Sequence, residues 1–273
     1  MTDKTIRSLT GRTGMIGSAF GLATIALVAL LAIGAWGRSA GAQDATPDAS
    51  PVAADCATAI GVGAAGDACV NVVHASPDAP AVDVYVDSAL AIPALAFPGS
   101  SGWVALPAGE HQVDVVATGT DISTAVISAP VDLAAGTAYK IAAVGLLAEI
   151  APAVTVVDVS DLDASTARIQ VVHASPDAGA VDVALTGGDV LVPNLMFPAA
   201  SGFLEVPAGS YDLEVRAAGT TTVALPLPGV ALEGGTVYSV YAVGTAADGT
   251  LNVLVIPTPL GGGSATPEAS PAA

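Results

Sequence analysis

Hydrophobic and polar residues alternate with a period of two along much of the chain. Between residues 82 and 87, for example, three valines alternate with Asp83, Tyr85 and Asp87. Such alternation places every second side chain on the same face of a β-strand, with one face buried. Turn-forming Pro-Ala-Gly at 107–109, and again at 207–209, separates alternating stretches. The pattern therefore predicts short strands rather than helices.

The alternating region consists of two copies of one sequence. Residues 72–79 read Val-Val-His-Ala-Ser-Pro-Asp-Ala, and the same eight residues return at 171–178, an offset of 99 positions. Each copy is close to 90 residues long, which is enough to bury its own core. About seven short strands per copy are typical of a sandwich. The sequence predicts an all-β protein with two tandem immunoglobulin-like antiparallel β-sandwiches, at 68–159 and 168–258, joined by a linker at 160–167.

The N-terminal residues 1–42 have the features of a targeting segment. Basic residues precede an apolar run at 15–35, and the small residues 40–42 fit a cleavage site. Two interpretations are open: a cleaved signal peptide, or an uncleaved anchor, because the run is long enough to span a bilayer. Both predict an extracytoplasmic protein, secreted or bound to the cell surface. The Pro- and Ala-rich segment 43–67 is interpreted as a linker, and 259–273 as a disordered tail.

The charge balance narrows the set of partners. After residue 42 three basic residues remain against 24 Asp and Glu, which gives a formal net charge of −21. Such a surface repels nucleic acid and anionic lipid, since both require clustered Lys or Arg. We therefore expect no nucleic-acid partner and no membrane binding by the mature domains. A glycan or protein of the cell envelope remains as a possible partner.

Two cysteines, Cys56 and Cys69, occur in the whole chain. An exported chain meets oxidising conditions, so the sequence predicts a disulfide between them. A loop of this size contributes about 3 kcal/mol in the chain-entropy account. The second copy has no cysteine, and two cysteines without a nearby ligand cluster do not predict a zinc site.

The repeated His-Ala-Ser-Pro-Asp string is the strongest candidate for chemistry. Because His74 and Ser76 lie two residues apart where a strand enters a turn, and no separate base or orienting acid is evident, a nucleophile is disfavoured. The favoured interpretation is a structural turn in which the histidine faces the core and the aspartate accepts backbone N–H bonds. The turn residues are His74, Ser76, Pro77 and Asp78 in the first copy and His173, Ser175, Pro176 and Asp177 in the second.

A metal site is the other interpretation of this string. It would join His74, Asp78 and Asp83, and the equivalent residues of the second copy. Strand alternation instead directs Asp83 to solvent and His74 to the core, so the three ligands would not converge. If a cation bound there, turn carboxylates and carbonyls would favour calcium. We predict no metal and no cofactor.

Aromatic residues provide a candidate binding surface. Strand phase places Trp103 on the outer face beside Tyr85, where exposed rings stack on sugars or peptides. Alternatively, Gly102 interrupts the phase, and Trp103 caps the edge of the core as Phe203 does in the second copy. The second interpretation is favoured. His111 and Tyr211 occupy equivalent positions, and their polar tips are expected to reach the backbone.

The motif resembles a known family. The string from Val72 to Asp87, with Leu-Pro-Ala-Gly at 106–109, is similar to the exported bacterial domain of unknown function 4397, and the second copy matches through residues 171–183. The second copy departs from the pattern at Ala184 and Thr186. The resemblance implies an exported β-sandwich in two copies and supplies no catalytic residue.

Three classes of function follow from these observations. The first is an exported, non-catalytic structural or interaction module of the cell envelope or extracellular matrix. The second is a carbohydrate- or peptide-binding protein that uses outer strand faces and loops. The third is a hydrolase, which requires His and carboxylate side chains to converge in a pocket. Few general acid–base candidates and no phosphate loop or dinucleotide fingerprint occur, so the first class is preferred and no enzyme is expected.

Overall fold

The computed structural model describes residues 54–261, which include both copies. The predicted leader, the start of the predicted linker and most of the predicted tail lie outside the described residues. Within 54–261, no helix is long and apolar enough to cross a membrane.

The first copy forms a sandwich of two four-stranded sheets. Sheet A has the strand order β4-β1-β7-β8, and sheet B has the order β3-β2-β5-β6. The strands are β1 (Ala68–His74), β2 (Val82–Val86), β3 (Ala89–Leu95), β4 (Gly99–Leu106), β5 (Gly109–Ala117), β6 (Ile127–Leu133), β7 (Ala138–Val144) and β8 (Ala151–Val157).

The second copy repeats this topology. Sheet C has the order β12-β9-β15-β16, and sheet D has the order β11-β10-β13-β14. The strands are β9 (Thr166–His173), β10 (Val181–Leu185), β11 (Val190–Leu195), β12 (Leu204–Pro207), β13 (Gly209–Ala217), β14 (Val223–Leu232), β15 (Thr236–Val243) and β16 (Asn252–Pro259). The tandem all-β sandwiches predicted from the sequence are confirmed. Each copy has eight described strands rather than about seven, and β1 with β7, like β9 with β15, pairs in parallel.

Each sandwich buries the inward half of its alternating residues. In the first copy Val70 and Val72 of sheet A pack against Val84 and Val115 of sheet B. In the second copy Val171 contributes to a separate core with valines of sheet D. Burying one such side chain stabilises the fold by roughly 1.5–3 kcal/mol, so the regular valines hold each pair of sheets together.

The two sandwiches also share a core, which strand alternation alone does not predict. The opposite faces of β1 and β7, with Val73 and Val144, pack against Val172, Tyr241 and Val243 on β9 and β15. Sheets A and C therefore lie face to face, and every residue of β1 and β7 is buried. Strands buried on both faces have nearly continuous apolar sequences, as 138–144 does apart from one lysine.

The segment before β1 is ordered against this body. It forms a single π-helical turn at Ala57–Gly61 and carries the predicted disulfide, which is confirmed with a Cα–Cα distance of 6.0 Å between Cys56 and Cys69. The two cysteines pack against Val237 of the second copy. The Gly261 N–H also donates to the Ala59 carbonyl at 2.9 Å. This segment thus ties the start of the first sandwich to the end of the second.

Candidate functional site

The histidine of the repeated turn is buried in both copies and bonds to backbone. His74 has no exposed surface, and its Nε2 lies 3.0 Å from the Pro80 carbonyl oxygen, so Nε2–H donates. The Ser76 N–H donates to Nδ1 at 3.4 Å, which leaves Nδ1 without a proton. Burial lowers the pKa of His74, opposed by the bond to Pro80, and the ring stands edge-on to Phe97. A neutral imidazole with both nitrogens engaged holds the turn closed.

His173 repeats this arrangement. Its Nε2–H donates to the Gly179 carbonyl at 2.7 Å, and its Nδ1 accepts the Ser175 N–H at 3.3 Å. Burial lowers the pKa of His173 as well. The geometry is the same although Gly179 replaces Pro80, because the bond uses a carbonyl that both residues supply.

The serine and aspartate of the turn are not arranged as a nucleophile and its activating base. Among the described residues, the serine hydroxyl has no histidine partner, and the aspartate bonds to backbone N–H groups. The Ser76 hydroxyl is buried and has no hydrogen-bond partner within 54–261, whereas the Ser175 hydroxyl lies 3.4 Å from the Asp177 carboxylate. Asp78 accepts the Leu147 N–H at 2.7 Å, and Asp177 accepts two N–H groups of the equivalent loop. Those two bonds lower the pKa of Asp177. The aspartates therefore fasten the turn to the loop that follows the seventh strand of each copy.

The expectation that Asp83 faces solvent is wrong. Asp83 is buried on the outer face of sheet B, where it accepts N–H groups from Ala94 at 2.7 Å and Gly119 at 2.9 Å. Asp182 of sheet D accepts the equivalent pair, from Asn194 and Gly219. Alternation correctly directs the carboxylate away from the core, but a bent edge strand and a hairpin turn fold over it. Within the described residues, no three His, Cys, Asp or Glu side chains are arranged to hold a metal ion.

The candidate aromatic residues do not form one surface. Tyr85 lies half-buried on β2 of sheet B, whereas Trp103 lies on β4 of sheet A and faces the second sandwich. The Trp103 indole N–H donates to the Thr258 hydroxyl at 3.3 Å. Phe203, just before β12, keeps 36% of its surface exposed. Trp103 thus points away from its own core, so the favoured interpretation that it caps the edge of that core is wrong. It packs instead beside Cys69 and Val237 at the contact with the second sandwich, where it stays half-buried.

His111 and Tyr211 reach the backbone as the sequence predicts. His111 Nε2 bonds to the Pro107 carbonyl at 2.8 Å, and the Tyr211 hydroxyl bonds to the Pro207 carbonyl at 2.7 Å. His111 also contacts Asp87 at 2.7 Å. The bonds to Pro107 and then to Asp87 raise the pKa of His111.

The interface between sheets A and C encloses a polar layer that sequence reasoning missed. Asn71 and Lys140 are neighbours on β1 and β7, and the equivalent Gln170 and Ser239 are neighbours on β9 and β15. Each of the four carries a buried polar atom without a hydrogen-bond partner within 54–261, and so does Tyr241. The signal for this layer is a polar residue near the middle of each of these four largely apolar strands.

Lys140 is the most unusual member of the polar layer. Its side chain is fully buried, and its amine lies 5.5 Å from the centre of the Trp103 ring. Burial without a counter-charge lowers the pKa of Lys140 to about 7, and burial raises the pKa of Tyr241 to about 12. The Trp103 ring attracts the ammonium form of Lys140, but this attraction is weaker than the hydration that the ammonium group loses on burial. The interface therefore holds an amine that is partly neutral at neutral pH.

Comparisons with known proteins agree with the duplicated architecture. No curated protein matches the chain. A solved structure, the Bacillus anthracis TIE protein, is similar at 8% identity with a TM-score of 0.22, over 66% of this chain and 34% of that one. A family model described as a domain of unknown function, DUF4397, matches residues 68–184 and 185–266. With two matched segments that cover most of its length, the chain belongs to the DUF4397 family.

Proposed function

We propose that this protein is an exported, non-catalytic structural or interaction module of the cell envelope or extracellular matrix. In this role the two sandwiches act as one rigid body rather than as two domains on a flexible linker. The acidic mature chain, with its net charge of −21, keeps this body soluble and directs it away from nucleic acid and anionic lipid.

The observation that carries the proposal is the face-to-face packing of sheets A and C. Val73, Val144 and Val243 are almost completely buried there, so separating the sheets would expose apolar surface. The connection between the copies is also fixed, because Arg168 donates to the backbone of Asp158 and Ser160 and pairs with Glu205 at 2.7 Å. A body braced in this way transmits force or sets a distance, as a structural module requires.

The geometry of the turn supports a non-catalytic role. A general base must be able to accept a proton from a bound nucleophile. In both copies the Nδ1 of the histidine already accepts a backbone N–H, and its Nε2–H donates to a carbonyl. Burial also leaves no surface of either ring open to a substrate.

Export is tested by fractionating cells that produce the full chain. We expect the protein in the medium or the envelope, with Cys56 and Cys69 protected from thiol labelling until reductant is added. Recovery from the cytoplasm with both thiols free would contradict the proposal.

Catalysis is tested with panels of ester, peptide and glycoside substrates. We expect no turnover above the background of a preparation carrying His74→Gln and His173→Gln. Turnover by the unaltered protein that the double variant loses, with its fold preserved by circular dichroism, would support a hydrolase instead.

Binding of a glycan or peptide is the second candidate function. Tyr85 and Phe203 keep accessible ring surface, which is the observation in its favour. A glycan array probed with the mature protein distinguishes the two functions. Binding that Tyr85→Ala or Phe203→Ala abolishes, and that Tyr211→Phe leaves unchanged, would establish a binding module.

A further inference from the structure

Asn71 and Lys140 hold a carboxamide and an amine side by side in the buried interface. β1 and β7 are parallel neighbours, and Asn71 pairs directly with Lys140 in their register. Asn71 keeps 1% of its surface exposed, and Lys140 keeps none. Residues two positions apart on a strand project from the same face, so both side chains share the face of Val73 and Ala142, which packs against the second sandwich. Two groups that can form an amide bond are thus enclosed together.

The lysine amine lies above the asparagine strand. Asn71 pairs with Trp103 of β4 on its other side, so the three residues form a row across sheet A in the order Trp103, Asn71, Lys140. Neighbouring strands are about 4.8 Å apart, which separates the backbones of Trp103 and Lys140 by roughly 10 Å. The Lys140 Nζ nevertheless lies 5.5 Å from the centre of the Trp103 ring. The amine and the ring therefore meet above the middle strand, at the Asn71 carboxamide.

Both groups are available for reaction. Neither Asn71 Oδ1 nor Lys140 Nζ has a hydrogen-bond partner among residues 54–261. Nucleophilic attack requires an unprotonated amine, and desolvation is one way in which proteins supply it. Burial lowers the pKa of Lys140 to about 7, so a large share of the amine is neutral at neutral pH. The same burial excludes water that would compete for the carboxamide carbon.

We propose that Lys140 and Asn71 form an intramolecular amide bond after folding. Nζ attacks the Cγ of Asn71, the Nζ–Cγ bond forms, and the Cγ–Nδ2 bond breaks. One proton of Nζ moves to Nδ2, which leaves as ammonia, so the step consumes no oxidant, reductant or second substrate. The Tyr241 hydroxyl can relay this proton, because it is unpartnered in the described part of the chain and lies near Thr155, the neighbour of Lys140 on β8. This covalent site goes beyond the structural role proposed above.

We expect the bond to form slowly. Burial is the single cause of the lowered Lys140 pKa, so no carboxylate lies at the pair to speed the proton transfer. Newly folded protein then carries the free amine, and stored protein accumulates the amide. The second copy has Gln170 and Ser239 at the equivalent positions, a carboxamide without an amine, and cannot form the bond.

The test is mass spectrometry of the mature protein, both fresh and after several days at pH 8.5. We expect a species lighter by the mass of one ammonia molecule to increase with time, and to be absent from Lys140→Met and Asn71→Ala. Glu110 separates the two residues along the chain. After reduction, cleavage at glutamate should therefore release residues 43–110 and 111–149 as one linked species, and trypsin should no longer cut after Lys140.

Gln170→Leu is the matched control, since it removes the other buried carboxamide of the polar layer and should leave the linked species unchanged. The peptide map of the unaltered protein decides the question by itself if a variant fails to fold. The proposal is overturned if the mass stays constant, if the loss of ammonia persists in Lys140→Met, or if residues 111–149 are linked to the fragment that contains Gln170.

Discussion

The two copies are nearly identical where they fold and different where they meet. Both use a buried histidine to bond a carbonyl six residues ahead, and both use an aspartate to hold an edge strand and a hairpin turn. They differ on sheets A and C, which face each other. There Lys140 of the first copy is equivalent to Ser239 of the second. The His-Ala-Ser-Pro-Asp turn, which most resembles a catalytic motif, is thus a structural element that both copies use to fold. The differences lie at the interface between the sandwiches and at the disulfide.

Replacing Lys140 gives the largest expected effect, because no counter-charge compensates its burial. The unfolded chain binds the lysine proton more tightly than the folded one, so stability rises as the pH increases from about 7 toward the ordinary lysine pKa of 10.5. The lowered pKa corresponds to at most about 5 kcal/mol. We expect Lys140→Met to stabilise the protein at pH 7 and to remove most of this rise, as measured by urea unfolding between pH 7 and 9.5.

Lys140→Ser is the matched control, since it installs the residue of the second copy. It also removes the charge, but it leaves unfilled volume and a hydroxyl, so its gain should be smaller than that of Lys140→Met. A loss of stability in both variants, with the pH dependence unchanged, would contradict a buried, unpaired amine.

Removing the disulfide makes the first copy resemble the second at its N-terminal segment. Cys56→Ala with Cys69→Ala should lower the free energy of unfolding by about 3 kcal/mol, mainly by freeing the unfolded chain. Reductant should lower the melting temperature of the unaltered protein and leave the double variant unchanged. Equal sensitivity of both proteins to reductant would exclude the disulfide as the cause.

The turn histidines should have equal effects in the two copies. His74→Ala and His173→Ala each remove a ring and leave a buried carbonyl and N–H unpaired, at a cost of about 2 kcal/mol. Thermal unfolding of the two single variants measures this directly. Clearly unequal losses of stability would contradict a shared structural role, and loss of an activity in only one variant would support a catalytic role for that copy.

His111→Tyr gives the smallest expected effect and makes the first copy like the second. The pKa of His111 is raised, so its contribution is fully present below about pH 6.5 and is lost as the pH rises through the folded pKa. The pair with Asp87 lies near the surface, so the change should be about 0.5 kcal/mol. Unfolding at pH 5.5 and 8 should show this difference in the unaltered protein and not in the variant.

Local sequence rules account for the parts of the fold that depend on neighbours along the chain. Alternating valines predicted the strands, the repeat predicted two sandwiches, and the turn residues lie where strand β1 or β9 ends. For Trp103, strand alternation alone indicates the outward face, but Gly102 led to the interpretation that the ring caps its own core, and neither interpretation identifies its neighbour. That neighbour, Thr258, lies 155 residues away and belongs to the other copy. Contacts between two copies follow from how their sheets dock, and the period of a single strand carries no information about docking.

The candidate site was harder to predict for the same reason. Asp83 was expected in solvent because period two places it on the face opposite to Val82, yet edge strand β3 and the turn after β5 cover it. The polar layer at Asn71 and Lys140 was not recognised, because a polar residue on an outward face normally meets water. Such a residue is recognised as buried only when both faces of its sheet are known to be covered.

Cooperative unfolding of the mature protein tests the central claim that the sandwiches form one body. Trp103 is the single tryptophan after residue 42 and lies at the interface, so its fluorescence reports separation while circular dichroism reports the strands. We predict blue-shifted native emission and coincident transitions by both probes, with one calorimetric peak. A red shift of Trp103 emission that precedes the loss of β-structure would show two sandwiches that separate before they unfold, and would contradict the account.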